Sequence, residues 1–314
     1  MKALIIGAAG FVGKSLLQHL KSTYDWSLYA TKLSTETIDI KGIYVEDLDI
    51  LQLSDIQKLL ARIQPDYIFH LAAQSSVALS WKNPQLTVDI NIKGSINLFE
   101  AVRQLNKQPK ILVIGSGEEY GHINLNETPI AEDIPLRPGN IYAATKASQN
   151  MIAAIYSKAY SMNIVMVRAF NHIGPGQMPV FVVSDFCKQV AEIEAQRRPP
   201  MIYVGNLSAQ RDFTDVRDVV RAYSLLMLHG HSGETYNVGS GRAISIQTLL
   251  DKILRYSSAD ISVKISAERL RPIDVPVIEA DISKLQRVTH WSPEISIDTT
   301  LLETLNYWRQ FLHL

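Results

Sequence analysis

Short, uninterrupted apolar runs at 3–6, 28–30, 67–71, 111–114 and 164–167 alternate with amphipathic stretches of helix length at 12–22, 54–63, 84–105 and 142–161. A run without polar alternation suits a strand buried on both faces, the situation of a parallel strand beneath crossover helices. The rhythm predicts βαβ units, and their right-handed crossovers predict a doubly wound parallel sheet. Beyond about residue 170 the rhythm loosens. Gly174-Pro175-Gly176, Arg197-Arg198-Pro199-Pro200, Arg271-Pro272 and Pro276 separate short helices expected at 216–229, 246–255 and 299–311 from short strands at 201–204 and 235–238. The expected fold class is α/β, with a smaller, less regular α/β lobe carried on the sheet.

Length and charge narrow the partners. At about 150 residues per domain, 314 residues predict two units. Thirty-one basic side chains balance 31 acidic ones, which argues against nucleic acid or an anionic membrane as the main partner, since both demand a basic face. No apolar run approaches the ~18 residues of a membrane span. The N-terminal apolar stretch is broken by Gly7, Gly10 and Gly13, so it reads as a strand and turn rather than a leader; a soluble, cytoplasmic protein is expected. The single cysteine, Cys187, excludes an intramolecular disulfide and any cysteine-based zinc site. It reads as a small buried apolar residue. His70, His172 and the other histidines lack ligand spacing, so no metal is expected.

Gly7, Gly10 and Gly13 follow the first strand directly and open the first helix. Glycines there permit a tight turn, close backbone approach to a pyrophosphate and close helix–strand packing. Inside a βαβ unit they predict a Rossmann-type dinucleotide-binding domain over residues 1–170, with Phe11 and Val12 in the same turn. Residues 171–314 form mainly the substrate-binding lobe, and part of 210–240 is expected to return to the sheet. The acidic residue usual about 20 positions on, which grips the ribose, is missing. The second strand ends Tyr29-Ala30-Thr31-Lys32. Thr31 can hydrogen-bond a ribose, and Lys32 can meet a 2′-phosphate or simply be a solvated lysine, so NADP and NAD both stay open. Asp49 and Ile50, after the third strand, would flank the adenine.

Tyr142 and Lys146 stand at i and i+4, on one face of a predicted helix. A neighbouring ammonium stabilises phenolate and is expected to bring the tyrosine toward the working pH. Ser116 directly follows the fifth strand, where a hydroxyl points into the crevice beyond the strand ends.

Together these residues resemble the extended short-chain dehydrogenase/reductase superfamily of nucleotide-sugar epimerases, dehydratases and reductases. The likeness runs through His70-Leu71-Ala72-Ala73-Gln74, Ser116…Tyr120-Gly121, Tyr142…Lys146 and Arg168…Asn171-His172-Ile173-Gly174-Pro175. It continues in Arg211-Asp212-Phe213, Tyr236-Asn237-Val238-Gly239 and Arg271-Pro272. The resemblance implies a catalytic trio of Ser116, Tyr142 and Lys146, with the last two also contacting cofactor. It implies that Leu71, Ala72 and Ala73 line the cofactor, that Gln74 and Ser75 begin the sugar site, and that the molecule is a homodimer.

The stretch Gly205-Asn206-Leu207-Ser208-Ala209-Gln210-Arg211-Asp212 resembles the GDP-mannose branch. The resemblance places Asn171, Asn206, Arg211, Arg271 and Asp274 on the GDP, whose phosphates suit arginine forks. Related dehydratases carry Thr-Asp-Glu or Thr-Ser-Glu where this chain has Ser116-Gly117-Glu118. Gly117 removes one acid/base group and Glu118 keeps the other. Cys187 lies in a later helix, away from where an inverting epimerase would need it. The expectation is NAD(P)H-dependent reduction of the C4 ketone of GDP-4-keto-6-deoxy-D-mannose to GDP-D-rhamnose. A GDP-mannose 4,6-dehydratase or other nucleotide-sugar epimerase/dehydratase, and a non-catalytic NAD(P)-sensing regulator, are the alternatives.

Overall fold

The computed structural model describes residues 1–269 and 275–313. In chain order the strands are β1 (Lys2–Ile6), β2 (Ser27–Lys32), β3 (Tyr44–Asp47), β4 (Tyr67–His70), β5 (Lys110–Ser116), β6 (Ile164–Ala169), β7 (Asn171–Ile173), β8 (Met201–Val204), β9 (Gln210–Asp215), β10 (Thr235–Val238), β11 (Ala243–Ser245), β12 (Ser262–Ile265) and β13 (Val277–Ile278). The helices are α1 (Phe11–Thr23), α2 (Leu53–Ile63), α3 (Val77–Lys82), α4 (Pro84–Val88), α5 (Gly94–Arg103), α6 (Ile141–Tyr160), α7 (Val182–Glu194), α8 (Val216–His229), α9 (Ile246–Arg255), α10 (Ser283–Thr289) and α11 (Ile297–Phe311).

Seven strands form one parallel sheet in the order β10-β6-β5-β4-β1-β2-β3. The continuous apolar runs have a direct cause, because successive residues of one strand enter different layers. Ala3 and Ile5 face a core built with α1 and α8, whereas Leu4 and Ile6 face one built with α2 and α5. Thr235–Val238 pairs with β6 and closes one edge of this sheet. A separate core gathers Phe186, Cys187, Val190, Leu249, Leu301 and Trp308 from α7, α9 and α11. It lies beside a small sheet in which β9 pairs with β7, β11 and β13.

The helix expected over 84–105 and the edge strand β3 both depart from the pattern. The helix is divided into α4, a π-helical turn at Asp89–Lys93 and α5. Widened turns of this kind often mark functional sites. Here the turn lies where Asn91 is fully buried and turned toward the loop after β4, its Oδ1 accepting the Gln74 N–H at 2.8 Å. The edge strand β3 carries mostly exposed side chains, Tyr-Val-Glu-Asp, so it has no hydrophobic signature.

Candidate active site

Because the large sheet is parallel, β1, β2, β4, β5 and β6 all deliver their carboxyl ends to one edge, where ligands of such folds bind. β1 runs into a turn closed by close packing. Gly7 has φ +84°, and a Cβ there would meet the Ala72 nitrogen at 2.6 Å; one on Gly13 would meet Ala8 Cα at 2.6 Å. Gly10 differs, since a Cβ would find only the Gly7 carbonyl oxygen at 3.6 Å and would otherwise enter open space. Gly10 caps α1 without a side-chain hydrogen bond, and the first turn holds no acidic residue. Unsatisfied N–H groups with open space before them suit a pyrophosphate. Gly10→Ala is expected to change stability by about 0.5–1 kcal/mol while weakening NAD(P)H binding clearly. Urea midpoints and quenching of dinucleotide fluorescence check the two halves.

The residues expected around the dinucleotide divide. Phe11 stacks parallel to the His172 ring at 6.2 Å, joining the turn to β7, and Val12 is half-buried beside it. Thr31 is buried, and its hydroxyl accepts the Gly7 N–H at 3.3 Å, so it shapes the turn. The Lys32 ammonium donates to Asp47 at 2.5 Å and to the Leu33 carbonyl at 3.3 Å. Asp49 is exposed and accepts the Leu51 N–H, whereas Ile50 is buried against Gly94. Leu71, Ala72 and Ala73 continue half-buried from β4. Gln74 is tied inward rather than toward a sugar: it is buried, donates to Thr87 and the Ser76 carbonyl, and accepts the Ser76 N–H. Ser75 next to it is exposed.

Ser116 is the last residue of β5. Its Oγ accepts the Glu118 N–H at 3.2 Å, while its own N–H donates to Glu119 at 2.8 Å. With one lone pair engaged, the hydroxyl proton remains available for donation. α6 starts at a cap in which Asn140 accepts the Ala143 N–H, placing Tyr142 in its first turn beside Ser116. Burial pushes the Tyr142 phenol well above its ordinary value; the hydrogen bond with Ser116 opposes the rise, and the charges of Glu118 and Glu119 add to it. Lys146 donates to the Ile114 carbonyl at 2.7 Å and to Gln149 at 2.9 Å, and burial lowers it to about 8. The expected lowering of the tyrosine is thus outweighed by burial, which favours the neutral phenol.

Gly117 packs against Phe170, where a Cβ would press within 3.2 Å of the ring. Glu118 accepts from Asn140 at 3.2 Å and stands close enough to act electrostatically on Tyr142. In the small sheet β7 and β9 pair, so Asn171 and Arg211 sit on neighbouring strands. Asn171 donates to the Asp212 carbonyl, Arg211 donates to the Gln210 and Val275 carbonyls, and Asn206 accepts from Ser208. Arg271 and Asp274 lie outside the described residues. Cys187 is buried, and burial raises its thiol far above the ordinary value. Among the described residues no group of three or more His, Cys, Asp or Glu side chains is arranged to hold a metal, and no helix is long and apolar enough to cross a membrane.

Sequence reasoning passed over a buried polar cluster behind Ser116. Glu119 is fully buried, accepting from Ser116 N–H, from Asn150 at 2.8 and 2.9 Å, and from Arg168 at 3.1 Å. Arg168 also donates to the Tyr120 hydroxyl, which donates to Asn237 on β10. The overlooked signal is Arg168 itself, a lone cation in an otherwise apolar strand, which requires a buried partner.

A family model described as GDP-mannose 4,6 dehydratase matches residues 4–304. A GDP-6-deoxy-D-mannose reductase of Pseudomonas aeruginosa is 29% identical over 308 residues, covering 98% of this chain and 97% of that protein. A UDP-glucuronate 4-epimerase of Thermodesulfobacterium geofontis is 29% identical over 327 residues, covering 99% and 97%. Among solved structures, RMD from Pseudomonas aeruginosa complexed with NADPH superposes with a TM-score of 0.89 at 28% identity, covering 99% of this chain and 100% of that one. UDP-glucuronic acid 4-epimerase from Bacillus cereus, complexed with UDP-glucuronic acid and NAD, gives 0.88 at 27%, with the same coverage.

Proposed function

This chain belongs to the GDP-mannose 4,6 dehydratase family, and within it we propose that the protein reduces the C4 ketone of GDP-4-keto-6-deoxy-D-mannose, giving GDP-D-rhamnose. It is an NAD(P)-dependent enzyme of the nucleotide-sugar class. The observation that carries the finer reading is Gly117. A 4,6-dehydratase must oxidise C4, take a proton from C5 and expel the C6 hydroxyl, so it needs acid/base groups beyond the serine and tyrosine. Gly117 supplies none, and the Phe170 ring leaves little room for one.

The groups around the turn at Gly7, Gly10 and Gly13 fit a dinucleotide, which when bound supplies the hydride. The chain's own residues handle the oxygen. Tyr142, kept as a neutral phenol by burial, gives its proton to the C4 oxygen as the carbonyl becomes a secondary alcohol. Ser116 donates a hydrogen bond to the same oxygen, stabilising the charge that develops there. Lys146 holds the nicotinamide ribose and stabilises the negative charge that Tyr142 takes on as it gives up its proton. Asn171, Asn206 and Arg211 hold the GDP, with Arg271 and Asp274 assigned to the same ligand, and residues 171–314 act mainly as its binding lobe.

The assay that decides uses two substrates. The protein with NADPH or NADH is expected to consume the keto sugar, and the protein with GDP-mannose and NADP is expected to form no 4-keto product. Formation of that product would favour the dehydratase reading, which Glu118 supports. We also propose a homodimer formed through α6, whose outer face exposes Met151, Ile155 and Tyr160. Sedimentation should then report twice the 35.2 kDa chain mass; a monomer at micromolar concentration would refute it.

A further inference from the structure

We propose that Glu119 is a positioning residue of the reaction, fixing the Ser116 backbone and α6 and placing a carboxylate, ion-paired with Arg168, behind the site. This rests on the reading of Ser116, Tyr142 and Lys146 as the reacting side chains. No substrate contact is available to Glu119, which is fully buried. Its two oxygens instead tie together the three elements that carry the trio and its support. From β5 the Ser116 N–H donates at 2.8 Å, from α6 Asn150 donates to both oxygens, and from β6 Arg168 donates at 3.1 Å. Asn150 stands one helical turn beyond Lys146, so this anchor also sets the position of α6. A Cβ on Gly115 would lie 2.2 Å from one Glu119 oxygen, so the chain keeps this space for the carboxylate.

The arrangement is also electrostatic. The charge of Glu119 raises Lys146 against the lowering due to burial, and it raises Tyr142 as well. The other groups facing Lys146 are the Ile114 carbonyl, the Gln149 amide and His70 on β4, which burial holds neutral by lowering it to about 3. Those acting on Tyr142 are Ser116 and the Glu118 carboxylate, with Tyr223 of α8 also within electrostatic reach. Removing the negative charge therefore lets both Lys146 and Tyr142 lose their protons at lower pH. Reduction needs both protonated, so the two changes act in the same direction.

The test is the pH profile of kcat for keto-sugar reduction. Glu119→Gln is expected to move the alkaline limb down by about one pH unit, the scale of one nearby charge, with the KM for NADPH within about twofold. Glu119→Asp, which keeps the charge, should leave the limb in place. Because Glu119→Gln leaves Arg168 buried and unpaired, the neutral pair Glu119→Gln with Arg168→Met provides a second route, since replacing both members of a buried ion pair is tolerated far better than removing one. It too should show the lowered limb. An unmoved limb in either folded variant overturns the proposal, whatever happens to stability. If Tyr142→Phe is inactive while the limb stays put, this inference alone falls; if Tyr142→Phe turns over normally, the trio falls and this inference with it.

Discussion

Tyr142→Phe is expected to lower kcat by at least ~100-fold, about 2.7 kcal/mol of transition-state stabilisation, the usual scale for a general acid. The change removes one oxygen from a ring that is already buried, and the α6 cap at Asn140 does not depend on it. The fold should therefore persist and NADPH affinity should change little. The loss should appear in kcat and in kcat/KM alike, because the proton is needed only as the C4 oxygen becomes an alkoxide. Steady-state reduction of the keto sugar, with NADPH binding followed by fluorescence, separates these effects. Wild-type turnover in the variant would remove Tyr142 from the role of proton donor.

The residues proposed as the reacting trio could be named from sequence because their spacing is local. Tyr142 and Lys146 share a helix, and Ser116 ends a strand whose apolar run announces itself. The sheet was legible for a similar reason, since strands buried on both faces leave runs of Ala, Ile, Leu and Val. What escaped notice depends on contacts distant in sequence. Thr31 looks like a ribose ligand, yet the chain fold brings Gly7 to its hydroxyl. Gln74 looks like the start of a sugar site, yet the π-helical turn carrying Asn91 draws the loop inward. Lys32 looks free for a phosphate, but β3, which has no hydrophobic pattern, delivers Asp47 beside it. The rising phenol of Tyr142 belongs to the same class, because burial is a property of the assembled layers and not of the i, i+4 pair.

Arg168→Met shows how much rests on the cluster that local patterns hid. At pH 8 the variant is expected to lose about 3–5 kcal/mol of stability, the cost of leaving one member of a buried ion pair without its partner. Glu119 would lose its cation, and the Glu132 carbonyl and Tyr120 hydroxyl would lose a donor. The loss should depend on pH with a definite sign. Burial already raises the Glu119 carboxyl above its ordinary 4.5 despite the arginine, and without Arg168 it must rise further. A carboxyl raised in the folded state contributes stability below its unfolded value, and that contribution fades as pH climbs through the folded one. The deficit should therefore be smaller at pH 5 than at pH 8, and smaller in the neutral Glu119→Gln, Arg168→Met pair than in Arg168→Met alone. Urea unfolding of the three proteins at both pH values measures this. Equal deficits throughout would mean that the arginine is held for its contacts with Tyr120 and Glu132 and not for the charge it balances.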